Sequence, residues 1–286
     1  MAIFGRIGAF ASVFSLAASV AGMAGAGQPG DGQPRDWQMG LQPAASTTME
    51  RVVDFHNLLL VVITAITVFV LLLLLYVMYR FSERRNPTPS KTTHNTLIEV
   101  LWTTVPVVIL ALIAVPSFKL LYFADRAVDA EMTIKAIGHQ WYWSYEYPDH
   151  GDFTFDGIML SDDELEQGQP RLLATDSFVV LPVDTRIRLL VTASDVLHSF
   201  AIPAFGIKLD ANPGKINETW VEITREGTYY GQCSEICGAG HAYMPIAIKA
   251  VSKAAFEEWV VQAREEYARA GEPEASTRLA QVQGAE

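Results

Sequence analysis

Cys233-Ser-Glu-Ile-Cys237-Gly-Ala-Gly-His241-Ala-Tyr-Met244 brings the only two cysteines of the 286-residue chain together with an imidazole and a thioether. Thiolate and thioether donors select soft or borderline ions. A methionine favours copper over zinc, because it is a usual weak ligand in electron-transfer copper sites and a rare one for zinc. A blue-copper loop has a single cysteine, and the second thiolate here allows two sulfurs to bridge two coppers. Each copper then needs an imidazole, so a second histidine has to arrive from elsewhere in the fold. His198 is the candidate: it lies in Val196-Leu-His198-Ser-Phe200-Ala-Ile-Pro203, directly after the strand-like stretch 186–192. A β-sandwich strand can hold such a ligand rigidly.

A structural disulfide is the competing use of the two cysteines. Loop entropy gives so short a ring about 2 kcal/mol of stabilisation. Metal binding requires both thiols to lose their protons, which costs about 2 kcal/mol each near neutral pH. Structural zinc in thiolate and imidazole sites returns about 10–16 kcal/mol, and copper stands above zinc in the divalent affinity order. Energy permits both uses, and the neighbouring His241, Met244, Gly238 and Gly240 favour the metal.

Outward from this loop, composition points to a membrane: half the residues are apolar and 19% are charged. Residues 1–26 read as an export signal, with one basic residue (Arg6), an apolar middle and the small-residue run Ala24-Gly-Ala26. Residues 27–54, rich in Gly, Pro and Gln at their start, are expected to form a poorly ordered or extended arm on the outer side. Within 55–124, the apolar stretches 58–79 and 97–118 are each long enough to cross a bilayer, which needs about 20 residues. They predict a transmembrane hairpin. Arg80, Arg84, Arg85 and Lys91 against Glu83 make the connecting loop cytoplasmic by the positive-inside rule, so both termini face the periplasm.

Residues 125–252 switch to short runs bounded by turn residues. Strands are expected over 132–137, 140–147, 177–183, 186–192, 219–224 and 245–251, a β-sandwich or barrel. Ser161-Asp-Asp-Glu164 fits a capping box for a short helical turn. Phe256, Trp259, Val260, Ala263 and Tyr267 recur at helical spacing, which predicts an amphipathic helix over 253–270 packed on the sheet, followed by a disordered tail, 271–286.

Two apolar helices, then Gly138-His-Gln-Trp141-Tyr-Trp143-Ser-Tyr-Glu146-Tyr, then Asp195-Val-Leu-His198-Ser, then Cys233 to Met244, make a chain that resembles subunit II of the haem–copper cytochrome c oxidases of bacterial and mitochondrial type. The resemblance covers nearly all of the chain beyond the export signal. It implies a membrane-anchored all-β fold: two transmembrane helices, a cupredoxin-like β-barrel and a C-terminal amphipathic helix. It also implies a dinuclear copper centre, CuA. Cys233 and Cys237 would bridge the coppers, His198 and His241 would each bind one, and Met244 and the backbone carbonyl of Glu235 would complete the set. By the same resemblance the Glu235 side chain holds magnesium or manganese at the border with subunit I, Glu99 stands at the entrance of a proton path, and Trp141 takes the electron from cytochrome c. The implied partners are subunit I, other oxidase subunits, cytochrome c and membrane lipid, at a bacterial inner membrane. There is no Cys-x-x-Cys-His, so no haem is expected on this chain and the electron donor should be separate.

Without the resemblance, strand alternation puts Trp141, Trp143, Tyr145 and Tyr147 on one face, most simply core or interface. Residues 131–251 carry 17 acidic against 8 basic side chains. Glu146, Asp149, Asp152 and Asp156 follow the tryptophans, and Asp176 and Asp195 belong to neighbouring strands. Such acids would steer a cationic redox partner and make nucleic acid an unsuitable one. Three other readings fit less well. A quinol oxidase subunit would lack the copper ligands. A membrane-anchored copper chaperone would have one anchor and a thioredoxin-like pattern. A nitrous oxide reductase would need a large additional domain.

Overall fold

The computed structural model of the chain describes residues 31–125 and 129–270, so the expected export signal and the tail from 271 lie outside the described residues. Two long helices, α1 (Thr47–Arg80) and α2 (Thr96–Asp125), precede a β-domain. Both expose their apolar side chains all round, as lipid-facing helices do. At 34 residues α1 is about 51 Å long, well beyond the roughly 30 Å of a bilayer core. Its first turn is therefore free to enter the β-domain, where Thr48 and Met49 are buried. The helix begins at Thr47, ahead of the boundary expected at 55, because Ser46 caps it. The Ser46 hydroxyl accepts the Met49 N–H at 3.0 Å and donates to the Phe205 carbonyl at 2.7 Å, fixing the helix start to the domain. At the other junction, Trp220 Nε1 donates to the Phe123 carbonyl and Thr219 Oγ1 to that of Ala124, carbonyls that a helix end leaves unpaired.

The domain is built from β1 (Asp31–Gly32), β2 (Met132–His139), β3 (Tyr142–Tyr147), β4 (Phe153–Gly157), β5 (Val179–Pro182), β6 (Arg186–Ala193), β7 (His198–Ile202), β8 (Ile207–Ala211), β9 (Asn217–Glu222), β10 (Gly227–Cys233) and β11 (Pro245–Val251). One sheet runs β5-β11-β10-β7-β8, with β1 beside β10; the other runs β4-β3-β2-β6-β9. Their inner faces meet in one apolar core. Alternation is clean on β6, where Ile187, Leu189, Val191 and Ala193 point inward, and on β2, where Met132, Ile134 and Ala136 do. The last helix, α3 (Lys253–Ala270), buries Phe256, Val260 and Ala263, and its Trp259 and Tyr267 pack on Phe153, Phe155 and Tyr147. The architecture is a membrane hairpin carrying a cupredoxin-like sandwich, as expected.

Several strands differ from the sequence reading. β1, β4, β7, β8 and β10 lie outside the expected strands, being short or interrupted by glycine and polar residues, so their strand character comes from cross-strand neighbours rather than from local pattern. The expected strand 140–147 starts only at Tyr142, because Gln140 and Trp141 form the turn joining β2 to β3. Trp143, Tyr145 and Tyr147 do share the buried face, while Trp141 leaves it and is 37% exposed. At Ser161 only one bond of the capping box forms, with Glu164 Oε2 accepting the Ser161 N–H at 3.0 Å; the Glu164 N–H goes to the Ser161 carbonyl at 3.1 Å, and the segment closes a turn rather than a helix.

Candidate metal centre

β7 and β10 are antiparallel neighbours, with Phe200 opposite Cys233 and Ala201 opposite Gln232. This register carries His198, the first residue of β7, to the same end of the sheet as Cys233, the last residue of β10. The chain then leaves the sheet through residues 234–240, makes a short 3-10 turn over His241–Tyr243, and returns as β11 just after Met244. Sheet pairing thus brings together two segments of ligands that are far apart in sequence.

The donor atoms converge. Cys233 Sγ lies 3.9 Å from His198 Nδ1, 3.9 Å from Cys237 Sγ and 3.3 Å from the Glu235 carbonyl oxygen. Cys237 Sγ lies 3.7 Å from His241 Nδ1 and 3.5 Å from Met244 Sδ. A disulfide needs about 2.05 Å between sulfurs; both cysteines are free and buried. Among the described residues, donor atoms of His198, Cys233 and Cys237 all lie within 4.8 Å of one another. Two thiols, two imidazole Nδ1 atoms, a thioether and a carbonyl gathered in a largely buried cluster form a donor set suited to copper.

The groups behind the ligands fix their orientation. His198 is fully buried, and its Nε2 pairs with Asp195 Oδ1 at 2.9 Å, which leaves Nδ1 for the sulfurs. The ring lies against the backbone of Gly138, where a Cβ would come within 2.9 Å of imidazole carbons. Trp143, edge-on to His198 at 5.9 Å, donates its Nε1 to the Met244 carbonyl. Burial pushes the Cys233 thiol up, but hydrogen bonding with His198 and nearby backbone groups outweighs it and brings the thiol below its ordinary range. Burial and then the neighbouring Cys233 charge push the Cys237 thiol up. Burial also pushes the Asp195 carboxyl up, and the bonds from His198, Val196 N–H and Gln140 N–H more than reverse it.

The remaining expected site residues are spread over the chain. Trp141 sits on the cysteine loop with its Nε1 donating to the Cys237 carbonyl at 3.2 Å. Glu235 is exposed, and its backbone carbonyl is the part that joins the cluster. Glu99 lies in the first turn of α2, where its carboxylate accepts the Asn95 N–H. The acids form no single patch. Gly157 pairs opposite Trp143 and Phe153 opposite Tyr147, so the β3–β4 connection lies at the end of β3 away from Trp141. Strand rise places Glu146 about 16 Å along β3 from Trp141, and Asp149 and Asp152 come still later, in that connection. Glu146 pairs with Lys135 at 2.9 Å, and Asp149 accepts the Thr133 N–H at 2.6 Å. Asp156 accepts the Ser144 hydroxyl and Asp176 the Ile158 N–H, both near the tryptophan end. The supporting roles of Asp195, Gln140 and Trp143 escaped the sequence reading. Their one signal was their presence in the segments 138–147 and 195–199 that carry the family resemblance.

Residues 132–251 match the family described as cytochrome c oxidase subunit II, periplasmic domain, and residues 34–120 match its transmembrane domain. The chain belongs to the cytochrome c oxidase subunit II family. It is 53% identical over 224 residues to a probable cytochrome c oxidase subunit 2 of Rickettsia bellii, covering 78% of this chain and 83% of that one. It is 50% identical over 230 residues to cytochrome c oxidase subunit 2 of the plant Oenothera berteroana, covering 78% and 89%. The crystallised periplasmic domain of subunit II of cytochrome oxidase of Bradyrhizobium japonicum is 51% identical, covering 50% of this chain and 99% of that one, with a TM-score of 0.47. Family membership makes the chain a two-pass membrane subunit of a haem–copper oxidase with a periplasmic domain.

Proposed function

We propose that the chain accepts electrons from reduced cytochrome c at a dinuclear CuA centre and passes them to haem in subunit I, where oxygen is reduced to water and protons are pumped. The observation that carries this reading is the convergence of His198, Cys233, Cys237, His241, Met244 and the Glu235 carbonyl, with the sulfurs unlinked. Copper, when bound there, supplies a one-electron carrier. The chain's own residues do the rest. Trp143 and the buried Met244 keep water from the inner side of the cluster, and Asp195 holds His198 in a fixed orientation. With His198 and Cys233 anchored at strand ends and the Cys237 carbonyl tied to the β2–β3 turn, the donors should shift little when the charge of the site changes, which favours fast transfer.

Trp141 is half out of the surface and hydrogen-bonded to the ligand loop, which supports it as the point where the electron enters. The exposed Glu235 carboxylate is available to magnesium or manganese at the contact with subunit I. Glu99, at the cytoplasmic end of α2, is the proposed entrance of a proton path. Glu146, Asp149, Asp152, Asp176 and Asp195 are the proposed docking acids for cytochrome c. The setting is a bacterial inner membrane, with lipid around the helices, both termini in the periplasm and no haem on this chain.

The test is to purify the full chain in detergent, load it with copper, and measure stoichiometry and electron paramagnetic resonance. Two coppers per chain sharing one unpaired electron are expected. One localised copper per chain would overturn the dinuclear reading.

A further inference from the structure

We infer that Gln140 is a positioning residue that ties the two ligand segments together, its side chain holding the cysteine loop and its backbone holding the carboxylate that orients His198. The inference rests on the reading of the cluster as a copper centre. Gln140 Nε2 donates to the Cys237 carbonyl at 2.7 Å, and Gln140 N–H donates to Asp195 Oδ2 at 2.7 Å. The other oxygen of Asp195 pairs with His198 Nε2 at 2.9 Å. One residue therefore stands in series between a bridging cysteine in the 234–240 loop and a ligand histidine at the start of β7.

Three features make this a built arrangement. Cys237 lies in the 234–240 loop, outside any strand, so its carbonyl has no ladder partner and depends on the donors of the β2–β3 turn. The turn itself is stiff. His139 stacks on Tyr142 with ring centroids 4.6 Å apart, and its two nitrogens pair with the hydroxyls of Ser194 at 2.7 Å and Ser144 at 3.0 Å. The loop also lies flat on the turn: Gly238 has φ +121°, and a Cβ there would stand 3.1 Å from Gln140 Nε2. An exposed glutamine on a turn more often serves solubility or docking, but neither task calls for a 2.7 Å bond to a carbonyl beside a metal-ligating sulfur. Groups that orient ligands from behind govern how tightly the metal is held.

The experiment compares the full chain, copper-loaded in detergent, as wild type, Gln140→Glu and Gln140→Ala. Glutamate keeps the length of the side chain but presents no donor to the carbonyl when ionised. Both variants are expected to release copper to a chelator about tenfold faster or more and to change the copper hyperfine pattern, while apo-protein melting stays near wild type. Should the alanine variant fail to fold, the glutamate variant alone decides. Wild-type release and an unchanged spectrum in Gln140→Glu would overturn the tether, as would a defect confined to cytochrome c affinity. A wild-type chain that takes up no copper would instead overturn the copper reading beneath it.

Discussion

Asp195 and His198 are joined through the imidazole nitrogen that faces away from the sulfurs: Asp195 Oδ1 stands 2.9 Å from His198 Nε2, and His198 Nδ1 stands 3.9 Å from Cys233 Sγ. A carboxylate in this position fixes the ring and raises its basicity as a ligand. Asp195→Ala is expected to weaken copper binding about 10-fold to 100-fold, read by chelator competition on the full chain. Unchanged copper affinity would leave Asp195 as a surface acid only.

Trp141→Phe keeps an aromatic side chain but replaces the indole with a smaller phenyl ring and removes the bond from Nε1 to the Cys237 carbonyl. Electron transfer from reduced cytochrome c is expected to slow while cytochrome c affinity holds, as measured by stopped-flow reduction against steady-state binding. Equal transfer rates in wild type and variant would take Trp141 off the route.

The two phenols at Tyr145 and Tyr147 are both buried on the inner face of β3, yet they differ in partners. Tyr147 donates to the Val180 carbonyl at 2.9 Å, whereas the Tyr145 hydroxyl has no partner among the described residues. Tyr147→Phe should destabilise the β-domain by about 1 kcal/mol, and Tyr145→Phe should stabilise it by about 1 kcal/mol or more, because an unpaired buried hydroxyl is costly. Chemical unfolding of both variants checks the opposite signs. Burial raises the pKa of both phenols. Neither phenol therefore changes stability with pH below the unfolded value of about 10, and each lowers it as pH climbs above that value, where the unfolded chain ionises and the buried phenol does not. Each phenylalanine variant should show a shallower alkaline loss of stability, and identical slopes would contradict this.

The carboxylates of Glu235 and Glu99 are proposed to act toward partners of this chain. Only the Glu235 backbone oxygen, 3.3 Å from Cys233 Sγ, belongs to the cluster. Glu235→Gln in the assembled oxidase should lower magnesium or manganese content and leave the copper spectrum alone. Glu99→Ala should slow turnover without altering cytochrome c binding. Full metal content in the first, or wild-type turnover in the second, would remove that role.

Because the acids are strung along β3 and beyond rather than clustered, their contributions to docking should differ. Asp176→Asn, near the tryptophan end of the domain, is expected to weaken cytochrome c binding more than Asp152→Asn, and mostly at low salt, given screening over about 8 Å at physiological ionic strength. Binding titrations at two salt concentrations test the order. Equal or salt-independent effects would count against steering by these side chains.

Much of this was legible in the linear chain. Uninterrupted apolar runs declare membrane helices because lipid contact asks only for apolar side chains of sufficient length. The ligand types around Cys233 declare a soft-metal loop because their chemistry is local. Strands such as β7 and β10 were not legible, since a short segment containing His198 or Gly231 acquires its strand character from the neighbours that pair with it.

By itself, then, the order of residues determined the two membrane spans, the alternating β-domain with its closing helix, and the kinds of donor available to a metal. Only the tertiary structure decided that His198 stands beside Cys233, that Trp141 turns out of the aromatic face onto the cysteine loop, and that Asp195 and Gln140 stand behind the ligands. The reason is physical: donor chemistry and hydrophobicity belong to single residues, whereas distances between segments are set by strand register, which depends on the packing of the whole sandwich.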